Sequence, residues 1–278
     1  MTLPAPSDHT TAIVTGASSG IGAEIARQLA RRNYGLTLIA RREDRLRTLA
    51  EDLAHAHGVR AEVMAVDLTD ADARAALPDK VDALGLTPDI LVNNAGFSTM
   101  GPVHRADRAR ELAMVRTDVE AVLDLCTLFV PGMATRRRGA VLNTASTAAF
   151  QPLPGQAGYG ASKAFVLSYS RALGAELRGA GVTVTALCPG PVESGFVEAA
   201  GMSDEEAAQT LPRFMWVPAE EVAAAAVEGL DAGRSVVIPG AANRAAAGVA
   251  YLTPKALLLR FMAKSHPALR QPASPETR

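Results

Sequence analysis

Short runs of aliphatic and β-branched residues alternate along most of the chain with longer stretches whose apolar positions recur at helical spacing. The first run starts at Thr11, breaks at a glycine-rich turn, and enters a helix with Ile21, Ile25 and Leu29 on one face. The strand 35–40 follows, then a helix over about 43–56, the strand 61–66, a helix over about 70–84 and the strand 89–94. A long helix over about 107–136 repeats Leu112, Val115, Val119, Val122 and Phe129 at helical spacing. The strand 140–146, a Pro/Gly-bearing loop 150–158, the helix carrying Tyr159, the strand 182–190, a helix near 219–232 and the strand 235–239 complete the pattern. Strands separated by helices predict an α/β fold with a parallel sheet.

The turn after the first strand has Gly16, Gly20 and Gly22 at GxxxGxG spacing, with Ser18, Ser19 and Ile21 between them. A strand, a turn of three glycines and a helix form a dinucleotide cradle: the glycines permit a tight turn and close backbone approach, and the helix N-terminus faces the phosphates. An ordinary strand-to-helix turn is the alternative. At the end of the second strand, where an acidic residue would bond the ribose hydroxyls of NAD, stand Arg41 and Arg42. Two guanidinium groups suit a 2′-phosphate, so NADP(H) is the expected cofactor, against the alternative of a solvated helix cap with Glu43 and Asp44. Asp67 and Leu68 end the third strand, where Asp67 would bond the adenine amino group and Leu68 pack on its ring, or Asp67 would cap the next helix. Asn94, Ala95 and Gly96 end the fourth.

Tyr159 and Lys163, four apart on a helix, share one face and bring a phenol beside an ammonium. The cation is expected to lower the phenol's pKa and fit it for general acid or base work. With 278 residues and 48% hydrophobic composition the chain can bury one large core, and a net charge of -1 argues against a nucleic acid partner. Cys126 and Cys188 lie in apolar runs, suiting free thiols in a reducing cytoplasm. The first ten residues show no apolar targeting segment, no stretch is long and apolar enough to span a membrane, and His55 and His57 are too badly spaced for a metal site.

TGASSGIG, the Asp67-Leu68 pair, NNAG, Ser146 and YGASK occur in an order that resembles the short-chain dehydrogenase/reductase family, over roughly residues 10–240. The resemblance implies a doubly wound Rossmann-type sheet of seven strands, order 3-2-1-4-5-6-7. It also implies a serine, Ser146, that orients a substrate carbonyl, a tyrosine, Tyr159, that exchanges the proton, and a lysine, Lys163, that binds the nicotinamide ribose. Pro189, Gly190 and Val192 would back the nicotinamide, Val192 through its backbone, with Ser194 as the nearest hydroxyl. The implied activity is reversible NADPH-dependent reduction of a ketone or aldehyde.

The family usually carries an asparagine in the long helix, and the matching residue here is Asp118. It should face inward, either paired with Lys163 or holding its own proton. A catalytically weakened NADP-binding regulator is therefore the rival reading. Residues 194–218, rich in large apolar side chains, read as a substrate lid for an apolar small molecule, or as a segment packed on the body or another subunit. Residues 1–240 form the expected catalytic domain and 241–278 a basic extension, whose six cations (Arg244, Lys255, Arg260, Lys264, Arg270, Arg278) face one acid, Glu276. An amphipathic helix there would clasp a second subunit, giving a homo-oligomer, or lie on a membrane surface.

Overall fold

A computed structural model describes residues 3–193, 212–254 and 256–259. Nine strands appear among them: β1 (Thr10–Thr15), β2 (Leu36–Ala40), β3 (Ala61–Ala65), β4 (Thr87–Asn93), β5 (Gly139–Thr144), β6 (Val182–Leu187), β7 (Val192–Glu193), β8 (Val217–Pro218) and β9 (Val236–Val237). The helices are α1 (Gly20–Ala30), α2 (Glu43–His57), α3 (Ala71–Ala75), α4 (Leu77–Ala83), α5 (Arg108–Val115), α6 (Ala121–Thr135), α7 (Ala157–Glu176), α8 (Ala219–Asp231) and α9 (Ala241–Leu252). Seven parallel strands form one sheet in the order β3-β2-β1-β4-β5-β6-β9. This is the expected doubly wound order. The seventh strand is the ninth in sequence because β7 and β8 pair separately with each other.

Both faces of the sheet are buried, and the strand residues divide between them with a period of two. Ala12, Val14, Leu36, Leu38, Ile90, Val92, Ala140 and Leu142 pack against Ile25, Leu29, Leu46, Leu53, Val222 and Val227 on one side. Ile13, Ile39, Leu91 and Val141 face Leu77, Val81, Leu125, Phe129 and Met133 on the other. The near-continuous apolar runs seen in the sequence are therefore strands covered twice.

The elements differ from the sequence expectation in two places that bear on the site. The helix expected over 70–84 is two, because Pro78 at the start of α4 has no N–H to continue the ladder and its ring would crowd the carbonyl one turn back. Asp70 caps α3 by accepting from the Asp72 and Ala73 N–H groups. The long helix over 107–136 is a continuous column, with Asp107 capping α5, but a π-helical turn at Arg116–Glu120 interrupts it before α6. A π-turn adds a residue to the helical repeat and re-aims the side chains it contains.

Candidate active site

The carboxyl ends of β1, β4, β5 and β6 converge on one edge, where the glycine turn, the NNAG segment, Ser146 and the Pro189–Gly190 loop meet. Gly16 (φ +66) and Gly20 (φ +56) adopt left-handed backbone that a side chain would strain. Space excludes one as well: a Cβ on Gly16 would lie 2.8 Å from Ala95 Cα, and one on Gly22 would lie 2.4 Å from Asn94 Nδ2. The turn is locked to β4 by Thr15, whose Oγ1 accepts from the Asn94 and Ala95 N–H groups at 2.9 and 3.0 Å, while Asn94 Nδ2 donates to the Thr15 carbonyl. Ile21, in the first turn of α1, is partly buried against the core.

Ser19 occupies the N-cap position of α1 without capping it; its hydroxyl instead accepts from Arg42 at 2.7 Å, and Ser18 Oγ accepts from the same guanidinium at 3.0 Å. The first-turn N–H groups of α1 are thus left to an anion. Burial, Arg45 and Arg41 together lower the Arg42 pKa, so three cations share the end of β2, and Arg45 is one that the sequence pattern did not single out. Asp67 is exposed and its Oδ1 accepts from the Thr69 N–H and hydroxyl, both at 2.9 Å; these bonds lead the influences that lower its pKa, with Arg41 adding to them. The capping role left open for Asp67 belongs to Asp70. Leu68 is buried, and its carbonyl accepts from Arg74, a buried guanidinium that also pairs with Glu120 and Asp124. Arg74 reads in the sequence as one more solvated helix charge. Only the packing of α3 on α6 reveals it as the link between the Leu68 loop and the π-turn.

The π-turn carries Asp118, which is completely buried. Its Oδ1 accepts from the Phe97 N–H at 3.1 Å, and its Oδ2 forms an ion pair with Lys163 Nζ at 2.9 Å, without aligned hydrogen-bond geometry. Gly96 makes room for both, since a Cβ there would lie 2.8 Å from Oδ1 and 3.2 Å from Nζ. Burial drives the Asp118 carboxyl upward, and the neighbouring ammonium and N–H draw it back. Burial lowers Lys163, and Asp118 followed by Tyr159 more than offsets that, leaving the ammonium raised. The Phe97 N–H on Oδ1 and the ammonium beside Oδ2 favour the charged pair.

Lys163 also donates to the Thr144 carbonyl at 3.1 Å and lies 5.6 Å from the centre of the Tyr159 ring. Tyr159 is buried, and the nearby Ser146 hydroxyl favours its phenolate. The lowered phenol expected from the Tyr-Lys spacing requires correction: burial raises the Tyr159 pKa, Lys163 and Ser146 oppose it, and Asp118 adds to the rise. The cation is shared with a carboxylate that the spacing argument did not weigh. Ser146 caps a short 3-10 turn by accepting from the Ala148 N–H at 3.1 Å and donates to the Pro189 carbonyl at 3.4 Å. Phe97, Met114, Ala148 and Leu153 pack around the Tyr159 ring. Pro189, Gly190 and Val192 follow β6 on the same edge, with the Pro191 carbonyl accepting from Val217 N–H. Ser194 and residues 194–211 of the expected lid lie outside the described residues.

A family profile described as short chain dehydrogenase matches residues 10–205. A short chain dehydrogenase of Pseudocercospora fijiensis is 39% identical over 188 residues, which cover 66% of this chain and 60% of that protein. A very-long-chain 3-oxoacyl-CoA reductase of Mycosarcoma maydis is 37% identical over 63% of this chain and 51% of its own length. The chain thus spans roughly half to three fifths of the length of these two relatives. Among solved structures, a short-chain dehydrogenase from Sphingobium yanoikuyae in complex with NADPH superposes with a TM-score of 0.77 at 30% identity, covering 97% of this chain and 99% of that one. With the profile spanning most of its length and the sheet, glycine turn, serine, tyrosine and lysine in these places, the chain belongs to the short chain dehydrogenase family.

Proposed function

We propose that the chain is an NADPH-dependent carbonyl reductase that reversibly converts an apolar ketone or aldehyde to its alcohol. The observation that carries this reading is the buried group of Ser146, Tyr159 and Lys163, with the ammonium 5.6 Å from the Tyr159 ring, set one strand away from the glycine turn and its arginine. The cradle fits an NADP-type dinucleotide: Gly16 and Gly22 leave no side chain between the turn and β4, α1 is uncapped, and Arg41 and Arg42 would hold a 2′-phosphate. When bound, NADPH supplies the hydride. Ser146 holds the substrate oxygen, Tyr159 delivers a proton to it as negative charge develops, and the Lys163 ammonium stabilises the phenolate left behind. A phenol held above its ordinary pKa is protonated at neutral pH, the state that reduction requires.

The apolar wall of Phe97, Met114, Ala148 and Leu153 around Tyr159 supports an apolar substrate. Two buried free cysteines suit a cytoplasmic location, and among the described residues no helix is long and apolar enough to cross a membrane. Exposed Val249, Tyr251 and Leu252 on α9, with Leu257 beyond, favour a second subunit over a lipid surface as the partner of the C-terminal extension.

The rival, a regulator that binds NADPH without turning it over, rests on Asp118. The two separate in one assay. NADPH consumption against a panel of apolar ketones and aldehydes should be measurable for the parent, and Tyr159→Phe should lose at least ~100-fold of it while keeping cofactor affinity. A parent that binds NADPH and reduces nothing in the panel, or a Tyr159→Phe protein within about tenfold of the parent, would remove the reductase reading.

A further inference from the structure

Asn243 lies in α9, beyond the segment that the sequence pattern assigns to catalysis, yet it is 1% exposed and packed into the active-site edge. Its Nδ2 donates to the Met215 carbonyl at 3.0 Å and the Pro239 carbonyl at 3.2 Å. These acceptors belong to different segments, the turn before β8 and the exit of β9, and they fix which way the amide points. The carboxamide then lies flat on Gly190: a Cβ at that glycine would stand 2.4 Å from Asn243 Oδ1, 2.5 Å from Cγ and 2.6 Å from Nδ2. Oδ1 is buried there without a hydrogen-bond partner among the described residues, a cost that an apolar side chain of the same size would avoid.

From Gly190 the contact runs directly to the reacting groups. The neighbouring Pro189 carbonyl accepts from the Thr147 N–H at 2.9 Å and from the Ser146 hydroxyl at 3.4 Å, and Ser146 in turn lies beside Tyr159. The same helix buries Ala247 and Ala250 against Val166 and Leu167 of α7, the helix that carries Tyr159 and Lys163.

We propose that Asn243 is a positioning residue for the Pro189–Gly190 loop, clamping it between α9, the turn before β8 and the end of β9 so that Ser146 and the nicotinamide end of the cofactor are held in register. The proposal rests on the reading of this edge as an NADPH-dependent reductase site. It makes α9 part of the catalytic unit. Asn243→Leu keeps the bulk and loses both donated bonds, so the loop should drift. A misplacement of that kind lowers turnover on the order of 10- to 100-fold.

The test uses the full chain and two ligands, NADPH and 2′-phospho-ADP-ribose, which lacks the nicotinamide. Asn243→Leu should weaken NADPH binding and lower kcat while leaving affinity for the nicotinamide-free fragment within about twofold, because the glycine turn and Arg42 are remote from α9. Gly190→Ala drives a methyl into the carboxamide and should show the same split. In Gly190→Ala/Asn243→Ala the methyl has room, so the double variant should recover NADPH affinity relative to Gly190→Ala alone, a coupling that general destabilisation would not produce. Equal losses for both ligands, no loss for either, or additive effects in the double variant would each overturn the assignment. A parent protein that binds NADPH but never turns it over counts against the reductase reading and leaves the binding comparison to decide Asn243.

Discussion

Arg42 is the side chain proposed to select the cofactor. Its guanidinium already bridges Ser18 and Ser19, so it closes the mouth of the glycine turn with charge at no further ordering cost. Replacing Arg41 and Arg42 together by alanine should weaken NADPH binding on the order of 100-fold and NADH binding far less, since only the former carries a phosphate to lose. Equal losses in a side-by-side titration would reject the assignment. Asp118 makes a second residue-scale prediction. Its carboxylate raises the pKa of Tyr159, and reduction needs the protonated phenol, so activity should fall only as pH rises through that raised value. In Asp118→Asn the negative charge is gone, the phenol pKa falls, and the alkaline limb of the reductase profile should move to lower pH while the reverse oxidation gains near neutrality. A pH–rate profile in both directions reads this. An unmoved limb, with the variant folded, would mean that Asp118 does not act on Tyr159.

At the scale of elements, the site depends on how closely α1 and β4 approach one another. Gly22 is the contact point, with Asn94 Nδ2 2.4 Å and the Gly16 carbonyl oxygen 2.5 Å from where a Cβ would stand. Gly22→Ala cannot be absorbed by a flexible side-chain tip, because one obstacle is backbone and the other is bonded to Thr15. The expected result is cofactor affinity down by at least ~10-fold together with lower thermal stability, as overpacking typically costs ~1–3 kcal/mol. Calorimetry and cofactor titration of the same sample would check both. The glycine spacing was legible in the chain because three glycines in one turn are rarely needed for geometry alone. Thr15, which holds the partner strand against that turn, was not, since a threonine at a strand end is ordinary. The π-turn was equally hidden: apolar periodicity marks the helix over 107–136 but does not register one inserted residue.

For the whole molecule, the question is where the catalytic body ends. Cutting the chain after residue 240 separates nothing independent, because α9 covers Phe150, Val166, Leu167 and Cys188. Removing residues from Gly240 onward should therefore lower Tm and abolish turnover, with roughly 2–4 °C lost per kcal/mol in a domain of about 150–250 residues. A chain ending at Leu252 should retain both. Melting curves and activity of the two truncations, with light scattering for their mass, test this; full activity in the shorter one would return α9 to an assembly role. Counting only residues that touch the reaction would end the catalytic body before α9, whereas its packing against Phe150, Val166, Leu167 and Cys188 ties it to their surroundings.

The sequence by itself determined the alternation of strands and helices, hence the doubly wound sheet, together with the glycine turn, the arginines after β2, and the Ser146, Tyr159 and Lys163 set. These are local signals: a period of two or 3.6, a spacing, a residue type at a strand end. Tertiary structure alone decided the rest. Asp118 meets Lys163 from 45 residues away, Arg74 joins Leu68 to the π-turn, and Asn243 rests on Gly190. The direction of the Tyr159 shift belongs to the same class, since burial outweighs the neighbouring cation and burial is a property of the packed chain. A spacing of four residues can say that two groups share a helix face; only the fold says how dry that face is and what other charge has been brought to it.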